Sequence, residues 1–276
     1  MKLRAPNTLL NRLIPPRVTE YMISQLEFGL GIGCGAGASR SGEKVVFDAV
    51  KFAASGPLTI FDVGANQGQY ATALLGSLKD HSDFQLHCFE PSGKTFKILQ
   101  ENLAEASNVQ LNNFGLADQA KHSTLFMNEE GSGLASLTER KLDHIGIDHG
   151  KISEEVELRT LSDYCQEKQI EAIDLLKIDV EGHELDVING AMPLLANGAI
   201  TMVQFEFGGC NIDTRTYFQD FYLLFDSMDF ELYRVLPSRC LLRIPKYREK
   251  HEKFRTMNYL AVRKDLQLSK RFSRTR

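Results

Sequence analysis

Four apolar runs in this chain each stop at an acidic residue: Leu58-Thr59-Ile60-Phe61 at Asp62, Leu86-His87-Cys88-Phe89 at Glu90, Leu175-Leu176-Lys177-Ile178 at Asp179, and Met202-Val203-Gln204-Phe205 at Glu206. Short runs of this kind, bounded by turn residues, suit strands buried on both faces. In an open α/β sheet the carboxyl ends of the strands line the ligand crevice, so four acids at strand ends would ring one site. Any one of them alone reads equally well as the cap of a following helix, because a carboxylate accepts the unpaired N–H groups there. All four together favour a common site.

The intervals between the runs carry helical periodicity. Residues 43–54 predict a helix, and Tyr70, Leu74 and Leu78 recur at i, i+4, i+8 on a helix after the first strand. A second strand is predicted at 84–89, the next helix is marked by Phe96, Leu99 and Leu103, and a third strand is predicted at 109–114. Such alternation implies a mainly parallel sheet with right-handed crossovers and helices on both faces. Residues 118–173 break the rhythm: two short strands (123–127 and 156–158) flank a polar loop over 128–153, and Thr160-Leu161-Ser162-Asp163 resembles a capping box opening a helix. A loop that long in a compact domain is usually functional or disordered, and it is assigned to the substrate-side wall. After strands four and five comes a helix near 217–228, and the runs 231–236 and 258–262 read as a closing hairpin with a long connection.

Residues 1–42 read as an N-terminal extension: a short apolar-periodic piece over 18–28, then a loop with Gly29, Gly31, Gly33, Gly35 and Gly37 that reads as a linker or a lid over a ligand. The main domain is expected over 43–264 and a basic tail over 265–276. A formal charge of -4 gives no general attraction for phosphate backbones, so no nucleic-acid partner is expected. The five cysteines include no Cys-x-x-Cys pair, which argues against a disulfide framework or zinc site and for a reducing compartment. No apolar stretch reaches membrane-spanning length, and Pro6, Pro15 and Pro16 interrupt any signal-peptide core. A soluble, cytoplasmic protein is the expectation, with homo-oligomerisation left open.

The sharpest segment is Phe61-Asp62-Val63-Gly64-Ala65-Asn66-Gln67-Gly68. Gly64 and Gly68 flank a strand-to-helix turn where the chain must pass close to a ligand. A pyrophosphate-binding turn would read Gly-x-Gly-x-x-Gly; here Asn66 replaces the middle glycine, and Asp62 places negative charge where a pyrophosphate would be repelled. A cationic ligand is favoured, such as one with an amino group and a sulfonium centre. Glu90, followed by Pro91 at the end of the next strand, stands where such folds place an acid to accept both hydroxyls of a ribose.

With these residues the chain resembles the class I S-adenosylmethionine-dependent methyltransferases, and more narrowly their FkbM family. The resemblance runs through residues 61–68, Cys-Phe-Glu-Pro (88–91), Phe-Gly-Leu-Ala-Asp (114–118), Leu-Lys-Ile-Asp-Val-Glu-Gly-His-Glu (176–184) and Phe-Glu-Phe (205–207). It implies a Rossmann-like, seven-stranded, mainly parallel sheet whose last strand is antiparallel. It also implies that Asp62, Gly64, Asn66 and Gly68 hold the methionine part, that Glu90 holds the ribose with Pro91 also at the cofactor, and that Gly115, Leu116, Ala117 and Asp118 border the adenine.

Methyl transfer is an in-line displacement that needs an oriented acceptor and a group to take its proton. Asp179, Glu181, His183 and Glu206 are the candidates, because two strand ends and one turn can converge there. Histidine commonly serves as a base near neutral pH, although His183 could instead cap the turn, and Glu181 and Glu184 could be first-turn helix acids. A divalent metal on Asp179 and Glu206, such as Mg²⁺, is an alternative way to activate a hydroxyl. The position after the fourth strand reads Asp179-Val180-Glu181-Gly182, unlike the Asn/Asp-Pro-Pro-Tyr/Phe of many amino-methylating enzymes, so an oxygen acceptor is favoured. The family likeness suggests a hydroxyl of a sugar, glycan or natural product, that is, a small-molecule or glycan acceptor. Rival readings are a non-catalytic S-adenosylmethionine-binding protein with a regulatory or partner-binding role, and a nicotinamide dehydrogenase, which Asp62 and Asn66 disfavour.

Overall fold

A computed structural model describes residues 14–35, 41–54, 56–81, 83–266, 268 and 272. Its strands are β1 (Leu58–Val63), β2 (Phe84–Phe89), β3 (Val109–Asn112), β4 (Gly115–Leu116), β5 (Lys121–Met127), β6 (Ile152–Arg159), β7 (Leu175–Ile178), β8 (Met202–Phe207), β9 (Phe230–Leu236), β10 (Cys240–Ile244) and β11 (Met257–Arg263). Its α-helices are α1 (Pro16–Gly29), α2 (Lys44–Ala53), α3 (Gln69–Leu78), α4 (Gly93–Asn102), α5 (Leu161–Lys168), α6 (Glu184–Gly190), α7 (Met192–Ala196), α8 (Cys210–Thr214) and α9 (Phe218–Ser227).

The main sheet has the order β10-β9-β11-β8-β7-β1-β2-β3. Strands β3, β2, β1, β7 and β8 pair in parallel, as the helix–strand alternation predicts, and β11 runs antiparallel between β8 and β9. The expected seven strands are present in a Rossmann-like arrangement, and β10 adds an eighth at the edge. Sequence reasoning did not find β10 because it is a short edge strand reached through a tight turn at Arg239, whose φ is 56°. Strands β9 and β11 do pair, but the local hairpin is β9–β10; β11 follows in the chain and lies between β8 and β9.

Side chains alternate across the sheet, so each strand feeds two cores. Phe61, Val63, Ile178 and Phe205 pack on one face with Phe221 and Phe225 of α9, whereas Leu58, Ile60, Leu86 and Leu175 pack on the other with Phe47 of α2, Leu74 of α3 and Leu99 of α4. Tyr70, Leu74 and Leu78 are all buried, and so is Leu99. The irregular stretch forms a second sheet of order β4-β6-β5, which stands at the carboxyl end of the main sheet because β4 directly follows β3. Thr160 caps α5 by accepting from the Asp163 N–H at 3.0 Å.

Helix α1 covers the apolar-periodic piece and buries none of its residues. Of the glycine loop, residues 29–35 are described, whereas Gly37 lies outside the described residues, as does most of the basic tail. All five cysteines are free. Among the described residues no helix is long and apolar enough to cross a membrane.

Candidate active site

The turn between β1 and α3 fixes the site. Gly64 has φ 77°, and a Cβ there would lie 1.9 Å from the carbonyl oxygen of Asp179, so only glycine lets the ends of β1 and β7 approach this closely. The N–H groups of Gly64 and Ala65 both donate to the Phe89 carbonyl at 3.0 Å, which ties the turn to the end of β2. There Glu90 accepts from the Asn66 N–H at 3.0 Å through Oε2 and from the Ser92 N–H at 3.0 Å through Oε1. Burial pushes the Glu90 carboxyl up to about 7, against the pull of those two donors. Glu90 thus shapes the turn and still faces the adjoining hollow.

That hollow lies at the carboxyl ends of the strands and is open to solvent on one side. Gly64, Asn66, Glu90, Pro91, Gly115, Leu116, Asp179, Glu181 and His183 all line it. Leu116, Leu125, Leu137 and Leu158 make one wall apolar, which suits a flat base, while the acids gather at the other. The 128–153 loop supplies Ser132, Gly133, Ala135 and Leu137, so the stretch assigned to the substrate side chiefly walls this cavity. Ser136 anchors the loop by donating to the Glu181 carbonyl at 2.8 Å.

Four residues expected at the cofactor do not reach the cavity wall. Gly68 begins α3 with φ 88°, Ala117 is buried beside β6, and Asp118 is exposed and paired with Lys121 at 3.3 Å. Asp62 also lies off the cavity wall. It is fully buried and faces the α2–α3 side, where the register sets it beside Lys177 of β7. The Lys177 ammonium lies 2.9 Å from Asp62 Oδ1 and 3.6 Å from Asp179 Oδ2, and it donates to the Gly64 carbonyl at 3.4 Å. The contact with Asp62 is an ion pair without hydrogen-bond alignment, and neither Asp62 oxygen has a hydrogen-bond partner among the described residues. Burial raises the Asp62 carboxyl above its ordinary range, while Asp62 and Asp179 together raise Lys177 despite its own burial. Lys177 was missed as a functional candidate; a lysine inside an otherwise apolar strand was the available signal. The same face holds a chain of side chains: Tyr70 Oη donates to Gln204 at 2.8 Å, and Gln204 donates to Glu43 at 2.7 Å.

Glu206 does not line the first cavity. It opens into a neighbouring hollow with Asp179, Glu181, Arg140, Gly35 and Thr256. One carboxylate oxygen from each of Asp179, Glu181 and Glu206 lies within 4.8 Å of the other two. Burial first, then Asp179 and Glu181, pushes Glu206 well above the usual carboxylate range. Glu181, with φ 53°, is ion-paired to Arg140 at 2.5 Å, and Arg140 also meets Asp213 at 3.4 Å. Burial raises Glu181 to about 8 against that pairing. The glycine segment closes this hollow: Gly33 and Gly35 donate to the Thr256 carbonyl at 3.0 and 3.3 Å, and a Cβ on Gly35 would stand 2.2 Å from the Thr256 methyl and 3.2 Å from Glu206 Oε2.

His183 has both ring nitrogens engaged, with Asp186 Oδ2 at 2.7 Å and Thr138 Oγ1 at 2.9 Å. Glu184 is fully buried and accepts from the Val180 and Gly182 N–H groups at 3.2 and 3.0 Å, which pins the turn carrying Glu181. Asp179 is the one predicted residue that borders the cavity, the acidic hollow and a third recess by Lys177 and Tyr70.

A mainly parallel sheet with helices on both faces and a hollow at its strand ends is the Rossmann-like class of open α/β proteins. Within that class the chain belongs to the methyltransferase FkbM domain family, whose profile matches residues 62–232. It is 31% identical over 147 residues to a 2-O-methyltransferase, NoeI, of Sinorhizobium fredii (strain NBRC 101917 / NGR234), covering 49% of this chain and 58% of that protein. It is 32% identical over 157 residues to methyltransferase sdnD of Sordaria araneosa, covering 48% of this chain and 59% of that one. The chain thus spans less than two thirds of the length of these curated relatives. The crystal structure of methyltransferase FkbM from Methylobacillus flagellatus KT aligns with a TM-score of 0.45 at 16% identity, covering 74% of this chain and 43% of that one.

Proposed function

We propose that this protein is an S-adenosylmethionine-dependent O-methyltransferase acting on a hydroxyl of a sugar, glycan or natural product. The observation that carries the reading is the position of Asp179, which borders both the cavity lined by Glu90 and the acidic hollow beside it. The cavity suits the cofactor: Glu90 offers a carboxylate for ribose hydroxyls, the leucines give an apolar slot for the base, and Asp179 offers negative charge toward the sulfonium centre, which S-adenosylhomocysteine lacks. When bound, S-adenosylmethionine supplies a methyl group on a sulfonium centre.

Transfer of that methyl group to a hydroxyl oxygen would leave the chain's own residues two tasks, to hold the oxygen in line with the methyl carbon and to take its proton. Asp179 would take the acceptor proton, because it stands at the junction of the two hollows and Lys177 holds it from behind. His183 would position the turn, since Thr138 and Asp186 occupy its ring nitrogens. A relative named as a 2-O-methyltransferase favours oxygen as the accepting atom.

Calorimetry with S-adenosylhomocysteine tests the cofactor assignment, and Glu90→Ala is expected to abolish that binding. Mass spectrometry of a panel of polyhydroxylated acceptors tests the reaction. Asp179→Asn should lose turnover while retaining S-adenosylhomocysteine affinity. Binding of neither cofactor form to the folded protein would defeat the proposal.

A further inference from the structure

We infer that Asp179, Glu181 and Glu206 form a binding site for a hard divalent cation, Mg²⁺ or Mn²⁺, in the hollow beside the nucleoside cavity. The inference deepens the proposed reaction, because a cation there would hold an acceptor hydroxyl and favour its loss of a proton. Sequence position made Asp179 and Glu206 a pair; the fold adds Glu181 through the turn that Glu184 pins.

Two observations point to a cation. One oxygen from each of the three carboxylates lies within 4.8 Å of the others. An octahedral Mg²⁺ with ligand distances of about 2.1 Å separates neighbouring oxygens by about 3 Å and opposite ones by about 4.2 Å, so side-chain rotations of order 1 Å close the set. Glu206, independently, is 9% exposed and makes no hydrogen bond or ion pair among the described residues, yet its carboxylate faces the hollow. An unpartnered buried carboxylate is costly, and a bound cation removes that cost.

The cations nearby are already engaged. Lys177 sits closest to Asp62 at 2.9 Å, Arg140 bridges Glu181 and Asp213, and Arg255 beside the glycine segment pairs with Glu27 at 3.2 Å. Gly35, Gly133 and Gly209 line the hollow, so it has room for a hydrated ion and an acceptor. Three carboxylates leave coordination positions open for water or a hydroxyl, as Mg²⁺ prefers.

The test is a titration of the full chain, stripped with chelator, with Mn²⁺ alone, following free Mn²⁺ by electron paramagnetic resonance. One tight site that Mg²⁺ displaces is expected, weakened more than about tenfold in Asp179→Asn and in Glu206→Gln. Glu206→Asp keeps the charge but withdraws the oxygen, and should bind with intermediate affinity; it serves if Glu206→Gln does not fold. Absence of stoichiometric Mn²⁺ binding to the wild type, or equal binding by Glu206→Gln, overturns the site and leaves a proton as what neutralises Glu206. S-adenosylhomocysteine is titrated separately: its binding without Mn²⁺ binding sinks the cation site alone, and the converse sinks the cofactor reading alone.

Discussion

Replacing Lys177 by methionine tests the buried pair that organises the site. The lysine is 4% exposed and Asp62 is fully buried, so the substitution leaves a carboxylate in the sheet interior with no counter-charge. Breaking a buried pair from one side costs about 3–5 kcal/mol. A second route gives a similar figure: keeping Asp62 protonated at pH 7, when its ordinary value is 3.8, costs about 4.4 kcal/mol at 1.36 kcal/mol per pH unit. The sign follows from burial. A carboxyl raised on folding contributes stability below its unfolded value of 3.8 and loses it as pH climbs toward the folded value, so the variant's deficit should grow from about pH 4 to about pH 7.

The chain has no tryptophan, so urea denaturation is best followed by circular dichroism. At about 2–4 °C per kcal/mol, the melting temperature near pH 7 should fall by about 6–20 °C. Adding Asp62→Asn to Lys177→Met removes the stranded charge and should restore most of the loss. A deficit below about 1 kcal/mol, or one that does not change with pH, would refute the pairing as the source of stability.

Glu90→Gln should weaken S-adenosylhomocysteine about tenfold to a hundredfold by calorimetry, the worth of hydrogen bonds to a charged group. Because Glu90 must be ionised to accept two hydroxyls and burial holds it near about 7, wild-type affinity should rise with pH through that value, and Glu90→Gln should remove the dependence. Gly64→Ala places a Cβ against the Asp179 carbonyl at φ 77°, and should cost about 2–6 kcal/mol in chemical denaturation. Gly76→Ala, on the exposed face of α3 with open space at the Cβ position, should instead add about 0.5–1 kcal/mol.

The candidate site was partly legible. Glu90, Gly64, Asn66, Asp179, Glu181 and His183 line one cavity because all sit at strand ends or in the turns that follow, and a strand end can be read from where an apolar run stops. The directions of their side chains could not be read that way. The run stops at Asp62, but β1 continues to Val63, so Asp62 lies within the strand whereas Glu90 follows the end of β2; Asp62 points into the sheet's α2–α3 face, where Lys177 meets it across the register. Arg140, separated by 41 residues from Glu181, carries no sequence signal that pairs the two.

What the sequence by itself determined is whatever depends on neighbours along the chain: the alternation of helix and strand, the glycine turn after β1, and an acid within a residue of the end of each of four strands. The tertiary structure alone decided which acids share a hollow, which are neutralised, and where β10 and the small sheet stand. Those outcomes rest on lateral register and on contacts between distant segments, and such contacts form only when backbone pairing brings remote residues to the same height in the sheet.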